Sequence, residues 1–178
     1  MFKLVVFTAA LAALSLPAAA QNYGVGRTPS PDEIASLGAT TNPSGKGLPA
    51  GQGTAKEGRE VYELRCKECH GPEGKGADQT SFLGKPEQLQ QNPPVRTVGS
   101  YWPYATTLWD YTNRAMPFDR PGTLTADQVY AVTAYILFLN GIVEEGQVLD
   151  ASSLPQVQMP NREGFVPDDR PDTGVAGK

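Results

Sequence analysis

Two cysteines and one histidine are the residues of this sequence best suited to chemistry, and they stand together in Cys66-Lys67-Glu68-Cys69-His70. Two cysteines in one chain often form a disulfide. Here a spacing of three residues followed at once by histidine is the C-x-x-C-H signature of covalent c-type haem attachment. The two thiols would bond to vinyl groups on one porphyrin edge, and the imidazole would coordinate the iron. The alternative is an exposed redox dithiol beside an incidental histidine, although His70 is the sole histidine of the 178 residues.

The second axial ligand of such an iron is expected to be a methionine. No other histidine exists, and both cysteines would be consumed as thioethers. Met116 lies in Arg114-Ala115-Met116-Pro117, where a loop could cover the opposite haem face. The alternatives are Met159, in Gln158-Met159-Pro160, and an open or water-filled position. A thioether opposite an imidazole raises the reduction potential, as suits an electron acceptor.

The segment before the cysteines predicts a helix that delivers them to the haem. Thr54 and Glu57 form a T-x-x-E capping box, so a helix is expected over 55–65. Gly58 lies inside this helix, where glycine costs about 1 kcal/mol relative to alanine. Close packing against another helix explains its presence better than chance.

The strongest helical pattern follows a second capping box, formed by Thr125 and Gln128, and runs to Asn140 before Gly141. Its apolar residues recur at helical spacing. They are Val129, Val132, Tyr135, Ile136, Phe138 and Leu139. We expect this stripe to pack on the Gly58 face of the first helix, where the missing side chain lets two backbones approach.

A third helix is predicted over 103–115, with Pro103 in its first position and Pro117 preventing its extension. Its apolar face carries Tyr104, Ala105, Leu108 and Trp109. We interpret the aromatic residues of this region as core and haem-pocket packing. The candidates for contact with the haem are Trp102, Tyr104 and Trp109.

Composition excludes several functions. The sequence holds 19 acidic against 15 basic residues, a net charge of -4, with no basic stripe of the kind that nucleic-acid binders carry. A single histidine also excludes the histidine-rich sites of most zinc and copper enzymes. Catalysis at the iron would need an open iron face and a positioned acid or base. No recognisable pocket motif supplies one, so the sequence favours electron transfer over catalysis.

The N-terminal residues 1–20 have the features of a secretory signal peptide. Lys3 precedes an almost wholly apolar stretch at 4–16, and small residues lead to Ala20. About 13 apolar residues fall short of the ~20 that span a bilayer. We therefore expect cleavage after Ala20, no membrane anchor in the mature chain and, in a bacterium, a periplasmic location.

Both flanks of the predicted haem domain are rich in glycine and proline. A short helix at 31–37, capped by Ser30 and Glu33, is expected within an extended N-terminal arm. The C-terminal tail shows no sustained periodicity. These arms are either loose ends or segments that order on the haem domain or on a partner. The expected division is a signal peptide at 1–20, an arm at 21–53, a haem domain at 54–141 and a tail at 142–178.

The order of capped helix, C-x-x-C-H, aromatic helix, Met-Pro loop and final helix resembles class I cytochrome c over 54–141. This resemblance implies an all-α fold with three to five helices around one covalently bound haem. Longer stretches resemble the cytochrome subunits of bacterial sulfite dehydrogenases and of the related sulfane dehydrogenase in the sulfur-oxidising system. They are residues 97–111, 114–119 and 129–137, joined outside the haem core by 23–27, 31–34 and 159–162.

The resemblance implies a haem subunit that takes electrons from a molybdenum-cofactor enzyme and passes them to a downstream cytochrome or oxidase. Some relatives on the sulfane branch carry a second haem domain, whereas C-x-x-C-H occurs once in this sequence. Oxidation of sulfite to sulfate releases two electrons and one haem iron accepts one, so this chain could not perform that reaction alone. A free-standing electron shuttle and a sulfane dehydrogenase cytochrome are the alternatives.

Overall fold

The computed structural model describes residues 25–36 and 40–167. They belong to two compact units, with 25–36 in the first and 40–167 in the second. The predicted signal peptide at 1–20 and residues 168–178 lie outside the described residues. Across the described ranges, no helix is long and apolar enough to cross a membrane.

Within residues 25–36, the first unit forms one short helix, α1, at Pro31–Ser36. Its cap is the predicted one: the Glu33 amide donates to Ser30 Oγ at 3.2 Å, and the Ser30 amide donates to a Glu33 carboxylate oxygen at 2.7 Å. Arg27 pairs with the same carboxylate. The predicted helix is thereby confirmed as far as Ser36, and Leu37 lies outside the described residues.

The second unit is helical with a minimal sheet. Its elements are β1 at Gln52–Gly53, α2 at Ala55–Arg65, α3 at Lys67–His70, α4 at Ala105–Ala115, α5 at Ala126–Leu139 and β2 at Leu149–Asp150. Short 3-10 turns lie at Pro72–Gly74, Pro86–Gln90 and Leu154–Gln156. The two strands pair antiparallel. The all-α class with irregular flanks is confirmed.

The crossing of α2 and α5 is the centre of the core. α2 begins at the predicted capping box, in which the Glu57 amide donates to Thr54 Oγ1 at 3.3 Å. At Gly58 the two helices are so close that an added Cβ would lie 1.9 Å from the Ala131 carbonyl oxygen. The rings of Tyr62 and Tyr135, one from each helix, lie 5.3 Å apart. The expected role of Gly58 is confirmed.

The start of α4 corrects one prediction. The helix begins at Ala105 rather than at Pro103, because Tyr104 is its N-cap and has extended backbone angles of φ -138° and ψ 131°. Ala105, Leu108 and Trp109 are buried as predicted. The helix ends before Met116, whose amide donates to the Thr112 carbonyl oxygen at 3.1 Å.

Residues 40–53 are fastened to α4 and α5 by three long-range hydrogen bonds. The Thr41 amide donates to Asp110 Oδ1 at 3.0 Å, and the Gln52 amide donates to Asp127 Oδ1 at 2.8 Å. Between them, the Tyr130 hydroxyl donates to the Pro49 carbonyl oxygen at 2.9 Å. This part of the predicted N-terminal arm is therefore ordered on α4 and α5.

The C-terminal tail contributes to the same core. Its buried residues belong to one cluster with the α5 stripe, and they are Val143, Leu149, Leu154, Val157 and Met159. The division of the chain after residues 53 and 141 stays a prediction, but side-chain packing crosses both positions.

Candidate haem-binding site

The C-x-x-C-H residues form one compact turn, which we call the CxxCH turn (residues 66–70). Cys66 closes α2, where its amide donates to the Tyr62 carbonyl oxygen at 2.9 Å. The His70 amide donates to the Cys66 carbonyl oxygen at 3.0 Å, so the next turn of helix follows at once. Both thiols are free; that of Cys66 is half-buried and that of Cys69 is exposed. Cys66 stands at the junction of the two helices and Cys69 lies within α3, so one turn of backbone carries both thiols.

A glycine-rich loop folds back on the CxxCH turn and holds it. The Gly76 amide donates to the His70 carbonyl oxygen at 2.9 Å, and the Gln79 amide donates to the Cys69 carbonyl oxygen at 3.0 Å. Gly71 has φ +74°, and an added Cβ there would lie 2.2 Å from the Gly76 carbonyl oxygen. Glycine suits this position because it adopts positive φ and leaves room for the returning chain.

The imidazole of His70 is positioned by Phe82, whose ring centre lies 4.4 Å away at an interplanar angle of 30°. Its Nδ1 atom is buried and has no hydrogen-bond partner among the described residues. Burial lowers the pKa of His70, which favours the neutral imidazole that binds metals. The unpaired polar atom and the neutral ring both fit an axial ligand.

The thiol of Cys66 fits a thioether better than a redox thiolate. Burial is the largest effect on this group and raises its pKa to about 11. Reactive dithiols depend on a cysteine whose pKa is depressed. The alternative of a redox dithiol is therefore disfavoured at Cys66.

The two candidate methionines lie in different surroundings. Met116 is half-buried at the C-terminal end of α4, with an extended backbone of φ -125° and ψ 149°. Met159 is 3 % exposed and belongs to the core cluster. The thioether of Met116 is the more accessible of the two.

No group of three or more His, Cys, Asp or Glu side chains in the described part of the chain could hold a metal ion by itself. The CxxCH turn and the half-buried Met116 contain the residues that the sequence predicts to hold a covalent haem and its iron.

A family model for cytochrome c matches residues 55–140. A chain in the crystal structure of the sulfane dehydrogenase SoxCD from Paracoccus pantotrophus is 41 % identical, with a TM-score of 0.75 over 86 % of this chain and 76 % of that one. This chain belongs to the cytochrome c family. Among curated proteins, none matches it. The family implies a covalently bound haem c and electron transfer, and is typical of periplasmic or extracellular proteins.

The three aromatic residues predicted for the haem pocket have separate partners in this cytochrome. Trp109 is buried, and its ring centre lies 5.4 Å from that of Tyr130. Trp102 meets Tyr111 edge-on at 6.0 Å, and Tyr104 is half-buried at the start of α4. The three rings do not stack on one another, and their contact with the haem stays a prediction.

The indole N–H of Trp109 is buried without a hydrogen-bond acceptor among the described residues. A buried donor left unpaired costs about 1–3 kcal/mol. Trp109 therefore fits a site to which a bound group brings an acceptor.

Sequence reasoning missed two residues that shape this site. Phe82 follows a glycine-rich loop without periodicity, so no pattern predicts its contact with His70. Tyr62 donates its hydroxyl to the Gly71 carbonyl oxygen at 2.7 Å, and burial raises its pKa to about 12. The position of Tyr62 on the Gly58 face of α2 was the feature of the sequence that could have predicted its burial.

Proposed function

We propose that this cytochrome is the haem subunit or electron acceptor of a molybdenum-cofactor dehydrogenase that oxidises sulfite. It would pass the electrons one at a time to a downstream cytochrome c or oxidase in the periplasm. The observation that supports this proposal is the CxxCH turn, which carries two free thiols and a histidine whose buried Nδ1 atom has no hydrogen-bond partner among the described residues. The 41 % identity to a chain of the sulfane dehydrogenase SoxCD supports the class of partner.

Each site residue has a defined role in this proposal. Cys66 and Cys69 would hold one haem c as thioethers, and His70 and Met116 would be the axial ligands of its iron. When bound, the haem supplies a one-electron couple between ferric and ferrous iron. A methionine thioether opposite an imidazole favours the ferrous form and raises the potential, which suits a protein that accepts electrons.

Electrons would enter near the CxxCH turn. Cys69 is exposed, and Leu64, on the last turn of α2, is 81 % exposed. A porphyrin edge bonded to these cysteines would therefore lie at the protein surface. Burial lowers the pKa of His70, which favours the neutral imidazole that binds metals.

A second candidate function is electron acceptance from a sulfane dehydrogenase. The observation that favours it is the 41 % identity to a chain of SoxCD, which is itself a sulfane dehydrogenase. The two candidates share the haem site and differ in the substrate of the partner. An experiment separates them by whether sulfite or a sulfane substrate supports reduction of this cytochrome.

Stopped-flow mixing tests the proposed function. Ferric cytochrome is mixed with sulfite and the catalytic subunit of the molybdenum dehydrogenase from the same organism, and the ferrous α-band is followed. We expect rapid reduction with both present and none with sulfite alone. Rapid reduction by sulfite alone would support catalysis by the cytochrome itself, and no reduction with the sulfite and sulfane enzymes in turn would reject the proposal.

The axial ligand is tested separately in the ferric protein. Met116→Ala should abolish the far-red charge-transfer band of a methionine-iron bond, because Met159, the other methionine among the described residues, is buried in the core. Met159→Ala is the matched control and should keep the band while lowering stability through its core position. The reverse pattern would assign the ligand to Met159.

A further inference from the structure

One surface of the cytochrome consists of aromatic and arginine side chains of which the haem proposal uses only Tyr104. The Arg96 guanidinium lies 5.5 Å from the centre of the Tyr101 ring. The Phe165 ring meets the Tyr101 ring edge-on, with ring centres 5.2 Å apart. The Arg162 guanidinium lies 4.6 Å from the centre of the Tyr104 ring. We call this surface the tail patch; it consists of Arg96, Tyr101, Tyr104, Arg162, Phe165 and Val166.

The tail patch is anchored to the folded unit. The side-chain amide of Asn161 donates to the Tyr101 carbonyl oxygen at 2.7 Å, which fixes the segment that carries Arg162 and Phe165. Despite this anchoring, Phe165 is 49 % exposed and Val166 is 87 % exposed. Two large apolar side chains are thus held in place facing solvent.

The charges of the tail patch are not compensated within it. Neither Arg96 nor Arg162 forms an ion pair with any carboxylate in the described ranges, where most other arginines are paired. Glu163 is the nearest carboxylate in sequence and has no ion pair there either. A local excess of positive charge in a chain of net charge -4 calls for an acidic partner surface. Tyrosine and arginine are also the residues enriched at binding hot spots.

We infer that the tail patch is the binding surface for the catalytic subunit of the dehydrogenase. This inference rests on the proposed function and assigns the binding to a surface other than the haem ligands. The matching face of the partner carries carboxylates opposite Arg96 and Arg162 and an apolar recess for Phe165. A second copy of this chain is a poorer occupant, because a two-fold contact would face four guanidinium groups with two Glu163 carboxylates.

The position of the tail patch separates binding from haem ligation. Tyr104 and Met116 cap opposite ends of α4, which has 11 residues and a length of about 16 Å. Substitutions of Arg162 and Phe165 should therefore change partner affinity and leave the haem iron unaltered.

The test measures the affinity of full-length holo-cytochrome for the purified catalytic subunit by isothermal titration calorimetry at two salt concentrations. We expect R162A to weaken Kd at least tenfold and to reduce its salt dependence, and F165S to weaken it about fivefold. The matched controls are K56A, which removes an exposed cation on α2, and V148S, which removes an exposed apolar side chain. Both controls should bind within twofold of wild type. All variants should keep the wild-type haem spectrum and midpoint potential.

The outcomes separate this inference from the proposed function. If wild type binds and is reduced by substrate and partner while R162A and F165S bind as tightly, only the tail-patch assignment fails. If wild type is neither bound nor reduced, the proposed function fails and the inference with it. The inference is also overturned if analytical ultracentrifugation shows a dimer of this chain that the F165S substitution dissociates into monomers. Deletion of residues 168–178 tests whether the chain's own C-terminus competes with the catalytic subunit for the tail patch. Tenfold tighter binding of the catalytic subunit by the deletion variant would support the patch as its binding surface.

Discussion

The α2–α5 crossing and the CxxCH turn are adjacent in the chain and are held by different forces. At the crossing, Gly58 admits the Ala131 backbone, and the rings of Tyr62 and Tyr135 are fully enclosed. Within the CxxCH turn, α3 has no buried residue, and the turn is held by backbone hydrogen bonds from the loop behind it. Stability is thus concentrated in the crossing, while the groups suited to chemistry lie on a partly exposed turn that a covalent haem would complete.

The largest expected effect comes from adding a side chain at the crossing. Gly58→Val would place a Cβ 1.9 Å from the Ala131 carbonyl oxygen, and the helices must separate to admit it. Overpacking of a core costs about 1–3 kcal/mol and sometimes more, and we expect at least the upper value here. Denaturant unfolding of the holo-protein measures the loss.

Gly146→Val is the matched control, because nothing lies within 4 Å of an added Cβ there. It should change the free energy of unfolding by less than about 0.5 kcal/mol. Equal losses in the two variants would mean that the crossing is not the close contact described.

The second prediction asks whether the C-terminal tail belongs to the core. Leu154 is fully buried, so Leu154→Ala should lower the free energy of unfolding by about 2–5 kcal/mol. Leu64→Ala removes the same atoms from a side chain that is 81 % exposed and should cost much less. If both variants unfold at the denaturant concentration of wild type, the tail is not packed as described.

The smallest effect concerns alkaline pH. Burial raises the pKa of Tyr130 to about 12, whereas the unfolded chain has an ordinary value near 10. The folded state therefore binds the hydroxyl proton of Tyr130 more tightly than the unfolded state does. The resulting contribution to the free energy of unfolding is complete below pH 10 and is lost as pH rises from 10 towards 12.

Tyr130→Phe tests this contribution. At pH 7 the variant loses the hydrogen bond to the Pro49 carbonyl oxygen, which should lower its free energy of unfolding by about 1 kcal/mol. Between pH 10 and 12 its stability should fall less steeply than that of wild type. Unfolding free energies at pH 7, 10 and 11.5 give the comparison, with Tyr111→Phe at a half-exposed ring as the control. Parallel curves for wild type and Tyr130→Phe would contradict the prediction.

The parts of the fold that depend on local chemistry were predictable from the sequence. The boxes of Thr54 with Glu57 and of Thr125 with Gln128 are built from residues three apart, and both helices start where these residues indicate. Gly58 predicted the crossing, because a glycine inside a capped helix needs a packing reason.

The remaining features depend on tertiary contacts. The pattern around Pro103 could not show that Tyr104 is extended, so the start of α4 was placed two residues too early. The contact of Phe82 with His70 depends on the path of a loop that has no periodicity. The burial of Met159 depends on a tail that returns to the core from beyond the last helix. In each case, residues far apart in sequence decide the outcome.

The proposed function requires that one haem on the CxxCH turn accept electrons singly from a two-electron sulfur oxidation. Anaerobic titration of excess ferric cytochrome with sulfite, in the presence of a catalytic amount of the dehydrogenase subunit, measures this stoichiometry. We expect two molecules of ferrous cytochrome for each sulfite consumed, with one pyridine haemochrome equivalent of covalent haem per chain. Reduction by sulfite without the dehydrogenase would contradict the proposal. So would a protein that carries two haems per chain and yields one ferrous chain for each sulfite.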